Sequence, residues 1–242
     1  MGIPRLRMFA GPNGSGKSTV KADIPATLLG IYLNPDEIEK EIRKNGEYYI
    51  GGMGIQTNQE EIQDFFYNST LIQKIGRQDE VLAVGYHKGV VDFGNVPSID
   101  SYLASVMTDF LRQKLIQSHK DFTFETVMSS PDKITILQQA QEEGYRTYLY
   151  YVATNDPFIN IARVKNRVKM GGHGVSEDKI ISRYYRSLDY LLQAIKLTNR
   201  AYIFDNSGEK RIWIAEITDG SILSLKTESI PQWFQKYILD KL

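Results

Sequence analysis

Eight consecutive residues, Gly11-Pro12-Asn13-Gly14-Ser15-Gly16-Lys17-Ser18, carry the G-x-x-x-x-G-K-[ST] pattern of a phosphate-binding loop, and Thr19 follows. Glycines let a backbone wrap an anion so that successive N–H groups point at it. The start of the following helix adds partial positive charge. In such a loop Lys17 reaches the β- and γ-phosphates and Ser18 ligates Mg²⁺. The motif therefore predicts binding of a nucleoside triphosphate such as ATP, but it does not name the reaction. Its plainer reading is a Gly-rich turn with an incidental lysine.

Two carboxylates stand at the ends of predicted strands. Asp36 follows the short run Ile31-Tyr32-Leu33, and Glu125 lies near the end of Phe122–Val127. Ligands of parallel α/β sheets gather at the carboxyl ends of strands. If these strands flank the phosphate-loop strand, both carboxylates face the γ-phosphate. There a carboxylate can take a proton from an attacking hydroxyl or hold a magnesium water. Asp36 is equally readable as a first-turn charge that offsets a helix dipole. An acid in an apolar strand, like Glu125, needs a stronger reason.

A third group is basic. Residues 163–186 hold seven Lys and Arg against two acids. Arg163 and Arg167 share one helix face, and Lys179, Arg183 and Arg186 share another. Two cationic helix ends joined by Gly171-Gly172 could close on a triphosphate and stabilise its transferring charge. The alternative is a solvated basic face. His173 reads as a loop residue, and with no Cys and no paired His a structural metal site is disfavoured.

The elements that must position these groups alternate. Residues 5–10 read as a buried strand ending at Gly11-Pro12, then a helix from Lys17 to Leu29 interrupted by Pro25. Asn34 and Pro35 predict a helix start before Asp36–Lys44. Ser98–His119 reads as an amphipathic helix with Tyr102, Val106, Phe110, Leu111 and Leu115 on one face. Helices are predicted over 131–143, 157–170 and 177–197, strands over 122–127, 147–153 and 201–205, and a hairpin over 211–226 around Asp219-Gly220. A short helix from Pro231 closes the chain. This pattern predicts an α/β fold: a three-layer α/β/α P-loop NTPase sandwich with a central parallel sheet and a C-terminal β-hairpin plus helix. Residues 46–97 differ in character, with one helix expected over 60–75 amid Gly- and Tyr-rich loops. They are read as an insertion after the second strand within a single domain spanning 1–242.

The 242 residues carry 29 Lys+Arg against 29 Asp+Glu and no Cys. That excludes disulfide scaffolds and thiol chemistry, and it argues against nucleic acid as a partner held by bulk charge. No apolar run is long enough for a membrane span. The first residues lack a signal-type apolar core, and Leu6 breaks the myristoylation pattern, so the cytoplasm is the expected location.

Taken together, AGPNGSGKST (10–19), NPDEI (34–38), FETVMS (124–129) and RVKNRV…GGHGVSEDKI…RYYRS (163–187) resemble the zeta-toxin-type P-loop kinases, nearest the branch labelled predicted ATPases. The resemblance covers about 1–45 and 98–207. It implies a kinase that moves the ATP γ-phosphate to a small-molecule hydroxyl, UDP-N-acetylglucosamine in zeta toxins, and an antitoxin that blocks the nucleotide site. Lys17 and Ser18 match the phosphate and magnesium residues. Asp36 matches the carboxylate that activates the sugar hydroxyl. Glu125 and Thr126 match the strand end beside the acceptor. Arg167 and Arg183 or Arg186 fall where arginines clamp the triphosphate. Ser176 replaces a common Pro, and Tyr184 replaces an Arg often seen in this branch. Two other readings stand beside the kinase: an ATP-binding regulatory switch acting through a protein partner, and a polynucleotide kinase, which only the basic stretch favours.

Overall fold

A computed structural model describes residues 2–172 and 174–242; the predicted loop residue His173 lies outside the described residues. The chain divides into two compact units. One comprises the residues up to Gly30 together with Phe122–Leu242, and the other is Ile31–Asp121. No helix among the described residues is long and apolar enough to cross a membrane.

The first unit opens with strand β1 (Arg5–Ala10) and helices α1 (Lys17–Ala22) and α2 (Ala26–Leu29). Pro25 separates the two helices, as expected, because it cannot continue the hydrogen-bond ladder. The second unit holds β2 (Ile31–Leu33), α3 (Pro35–Asn45), β3 (Glu47–Tyr49), α4 (Gln59–Tyr67), α5 (Thr70–Ile75), α6 (Gln78–Val81), β4 (Gly85–His87), β5 (Val90–Asp92) and α7 (Ser101–Gln117). The chain then returns to the first unit through β6 (Phe122–Thr126), α8 (Asp132–Glu142), β7 (Arg146–Ala153), α9 (Pro157–Lys169), α10 (Glu177–Asp189), α11 (Leu191–Lys196), β8 (Arg200–Asp205), β9 (Ile212–Thr218), β10 (Ile222–Leu225) and α12 (Gln232–Tyr237).

Within the first unit the strands lie in the order β10-β9-β8-β7-β1-β6. The run β6-β1-β7-β8 is parallel and β9 and β10 add an antiparallel edge. Both faces of the central strands are buried and largely apolar, as a covered parallel sheet requires, with Arg7, Thr123 and Glu125 among the exceptions. Phe9, Tyr150 and Val152 pack with Val20 of α1 on one face. On the other, the Tyr151 hydroxyl meets Ser187 of α10 at 3.0 Å and its ring lies near Trp233 of α12. Burial of these rings pushes the Tyr150 phenol up to about 12, so it stays neutral. This mostly parallel sheet flanked by helices is the P-loop NTPase α/β architecture. The hairpin turns where predicted, with Asp219 and Gly220 both at positive φ.

The second unit is larger than the predicted insertion, since it also takes in β2, α3 and α7. Its own sheet has the order β3-β5-β4. Helix α7 buries Leu103, Val106, Phe110, Leu111 and Leu115, and packs against α3, α4 and α5. Tyr102 departs from the expected face: its N–H is capped by Asp100 and its ring is exposed. The single helix expected over 60–75 is two, because Asn68 closes α4 and Ser69 restarts the chain. The helix expected over 177–197 likewise breaks at Tyr190, which ends α10 and begins α11. Apolar spacing continues through both breaks, which is why periodicity alone misses them.

Candidate functional site

The phosphate loop, residues 11–18, spans the end of β1 and the start of α1. Its conformation is held from outside the motif. Asn160 on α9 is fully buried, and its Nδ2 donates to the Asn13 carbonyl at 2.6 Å. Asn206, just after β8, donates from Nδ2 to the Ser15 carbonyl at 2.7 Å. In a trans peptide the carbonyl and the following N–H point opposite ways. Drawing these two carbonyls toward the framework therefore aims the Gly14 and Gly16 amides the other way, into the loop. The same clamps explain the glycines. A Cβ on Gly14 would lie 2.7 Å from the Asn160 backbone oxygen, and one on Gly16 would lie 2.2 Å from Asn206 Nδ2, both at positive φ. Ser15 is fully buried, and its hydroxyl has no partner among the described residues. The Lys17 ammonium donates to the Gly11 and Pro12 carbonyls at 2.9 and 3.2 Å. Thr19 Oγ1 donates to the Gly16 carbonyl at 2.6 Å, which engages the side chain within the turn.

The clamp on Asn13 extends inward. Thr154 Oγ1 donates to Asn160 Oδ1, and Tyr184 Oη donates to the Thr154 carbonyl. Burial raises the Tyr184 phenol, with Tyr185 and Asp156 adding to the effect, so it remains a donor at neutral pH. Tyr184 is thus a structural member of the loop's support.

Glu125 is 8% exposed near the end of β6. It pairs in register with Phe9, and residues paired in a parallel ladder share a face. That is the face of α1, so Glu125 meets the first turn of α1. The Ser18 hydroxyl lies 3.4 Å from both carboxylate oxygens. Hard oxygen donors of this kind suit Mg²⁺, which usually takes one or two protein ligands and keeps its waters. Among the described residues, no group of three or more His, Cys, Asp or Glu converges. Thr126 Oγ1 accepts from the Met128 N–H at 3.0 Å. Met128 is fully buried at φ 55. A non-glycine residue held there is strained, and such strain concentrates at functional sites.

The arginines separate. Arg183 reaches Asn13 Oδ1 at 3.5 Å, the outer limit of a hydrogen bond. Arg186 is exposed, and its Nε turns back to the Ser182 carbonyl at 3.4 Å. Arg163 and Arg167 follow Asn160 by three and seven residues, so they share its helix face. A buried Nη1 of Arg163 has no partner among the described residues. Helix α9 ends in a Schellman cap, with the amides of Gly171 and Gly172 donating to Val168 and Arg167 carbonyls. Asp36, in the second unit, is exposed in the first turn of α3, and its N–H donates to the N-cap Asn34 at 3.0 Å.

Comparison with known proteins follows this geometry. Residues 101–218, just under half of the chain, match the family model described as Zeta toxin. Over these residues the chain is similar to the zeta toxins. A curated Haemophilus influenzae protein, described as uncharacterized, is 39% identical over 69 residues, which cover 28% of this chain and 49% of its own length. A crystal structure of the AvrRxo1-ORF1:-ORF2 complex matches with TM-score 0.53 and 14% identity, over 93% of this chain and 62% of that one. The same complex with ATP matches with TM-score 0.52 and 14% identity, over 93% and 61%. A structure from the PezAT toxin-antitoxin system of Streptococcus pneumoniae matches with TM-score 0.53 and 13% identity, over 99% and 80%. The chain therefore spans about half of this curated relative and under two thirds of the AvrRxo1 chains. At these identities the structural likeness is one of fold.

Asn160 is the site residue that sequence reasoning missed, and the clamping role of Asn206 lies as far from the motif. The only available signal was position: Asn160 lies one turn into a helix that begins at a strand end, and Asn206 directly follows another strand.

Proposed function

We propose that this protein is an ATP-dependent phosphotransferase that moves the γ-phosphate to a hydroxyl of a small molecule, a UDP-amino sugar such as UDP-N-acetylglucosamine. One observation carries the reading: a phosphate loop clamped at two carbonyls, with its Ser18 opposite the buried Glu125. The ATP in a fold neighbour's complex supports the choice of nucleotide. The acceptor oxygen attacks the γ-phosphorus, the bond from that phosphorus to the β–γ bridging oxygen breaks, and ADP leaves. Asp36 takes the hydroxyl proton. Lys17 balances charge on the β- and γ-phosphates, with Gly11–Thr19 as the binding loop. Ser18 and Glu125 would hold Mg²⁺, which when bound supplies charge neutralisation on the phosphate oxygens. Thr126 borders the acceptor. Of the arginines, Arg183 is favoured for the transferring group, with Arg167 beside it; the backward turn of Arg186 argues for a lesser share. An antitoxin that covers the nucleotide site is the proposed protein partner, by analogy with the PezAT toxin-antitoxin system.

The test is an acceptor screen with ATP labelled in its γ-phosphate, beginning with UDP-sugars. An Asp36→Asn protein is run beside the wild type. Loss of about 10²–10⁴-fold in transfer with ATP binding retained is the expected result. Full-rate transfer by Asp36→Asn would remove the proposed base, and ATP turnover indifferent to every acceptor would favour the switch reading.

A further inference from the structure

We propose that Trp233, on the last helix of the chain, is a positioning residue for the phosphate loop. It acts through Asp205 and Asn206. The inference rests on the nucleotide reading above and extends it to a segment far from the motif.

The chain of contacts is continuous. Trp233 is 4% exposed, and its indole Nε1 donates to Asp205 Oδ2 at 2.7 Å. Asp205 is equally buried and ends β8. Its carboxylate also accepts from the Ser207 amide and the Ser207 hydroxyl, each at 2.9 Å. Ser207 Oγ in turn accepts from the Asn155 amide at 2.8 Å, and the Asn206 amide donates to the Ala153 carbonyl at 2.8 Å. The turn 205–207 is therefore tied to the end of β7 on one side and to α12 on the other. From this turn the Asn206 carboxamide reaches out, holds the Ser15 carbonyl and closes over Gly16.

A buried carboxylate costs stability unless its lone pairs are met. Here three donors meet them, and only one comes from a different element of the fold. Ser207 holds the carboxylate locally, and the hydrogen bonds with Ala153 and Asn155 fix the turn on its β7 side. The indole N–H supplies the reference on the α12 side, which fixes the carboxylate's direction and hence the aim of Asn206. Trp233 touches neither nucleotide nor reacting atoms, so its effect belongs in ATP affinity and not in the chemical step.

The experiment has two arms. In the first, Trp233→Phe keeps an aromatic ring and removes the N–H together with the five-membered half of the indole. Mg-ATP affinity is measured by calorimetry for wild type, Trp233→Phe, Asn206→Ala and the double variant. Loss of one buried hydrogen bond predicts roughly tenfold weaker binding for Asn206→Ala and a several-fold loss for Trp233→Phe. The double variant is expected to bind no more weakly than Asn206→Ala, with kcat little changed by Trp233→Phe. Wild-type affinity in Trp233→Phe, or losses that multiply in the double variant, would overturn the proposal, because a merely structural tryptophan has no reason to couple to Asn206. The second arm does not depend on the Phe variant folding. The chain has two tryptophans. Trp213→Phe leaves Trp233 as the single emitter, and a saturable emission change on adding Mg-ATP is expected, abolished by Asn206→Ala at saturating ATP. Unchanged emission in a protein that calorimetry shows to bind ATP would also overturn it. A wild type that binds no ATP in either arm would instead sink the nucleotide reading on which the proposal stands.

Discussion

Two segments of this chain are rich in glycine, and they behave as opposites. Residues 11–18 and residues 51–54 each bend sharply, yet the first is a candidate anion site and the second is a packed corner. In residues 51–54 the amides are consumed internally. The Ile50 and Gly51 N–H groups both donate to the Gly89 carbonyl, at 2.8 and 3.0 Å, and Met53 donates to Ile50. A Cβ on Gly51 would lie 2.8 Å from the Tyr49 hydroxyl, which, with Tyr49 placed as it is, leaves room only for glycine. In residues 11–18 the Asn13 and Ser15 carbonyls are engaged by Asn160 and Asn206, so the Gly14 and Gly16 amides face the other way, while the Ser15 amide closes a turn on the Pro12 carbonyl at 3.2 Å. Glycine supplies the bend in both. Which polar edge of the backbone is held by the framework decides whether the bend can receive an anion.

This contrast can be broken by substitution. Gly16→Ala puts a Cβ against Asn206 at positive φ. A loss of at least about 100-fold in ATP affinity is expected, since strain and a lost clamp add to more than about 2.7 kcal/mol. Gly52→Ala meets nothing closer than 3.7 Å, so its ATP affinity should match wild type. Equal effects at the two positions would dissolve the distinction. Asn160→Ala should weaken ATP binding about tenfold by releasing one buried hydrogen bond. An unaffected Asn160→Ala would show that the Asn13 carbonyl needs no clamp.

Gly89→Ala sharpens the other side. Its Cβ would lie 2.7 Å from the Gly51 Cα, at positive φ. Thermal or denaturant unfolding should register a loss of about 1–2 kcal/mol or more, while ATP affinity in the folded protein is retained. The smallest effect expected concerns Glu61, in the same unit. Its hydrogen bond to Lys114, joined by one to Thr57, holds its carboxyl below the usual range. A lowered folded-state pKa contributes stability that is present above the unfolded value and is lost as pH falls through the folded value. Glu61→Gln should therefore cost under about 1 kcal/mol near pH 7, as befits a partly exposed pair. The difference should fade on acidification below the ordinary carboxylate range. A pH-independent difference would assign the effect to packing.

The sequence made some of this legible and hid the rest for definite reasons. The phosphate loop is contiguous, so its motif, its strand and its helix can be read together. Asn34 and Pro35 announce α3 in the same local way, and the structure has Asn34 capping it. The pairing of Glu125 with Ser18 depended on β6 lying next to β1, a condition that strand spacing cannot supply. Asn160 and Asn206 act on carbonyls 147 and 191 positions away in the chain, and an asparagine carries no local mark of such a task. The basic stretch read as a unit, but only the fold separates Arg183, which meets the loop, from Arg186, which turns away. The extent of the second unit was hidden too, because α7 and α3 look in sequence like ordinary layers of an α/β sandwich.

The most direct test of the central claim is equilibrium binding of Mg-ATP to the wild type and to Lys17→Ala, measured side by side by calorimetry. A single site in the wild type, weakened by about 100-fold or more in Lys17→Ala, is the predicted result. No ATP binding by the wild type, or equal affinity in the two proteins, would contradict it.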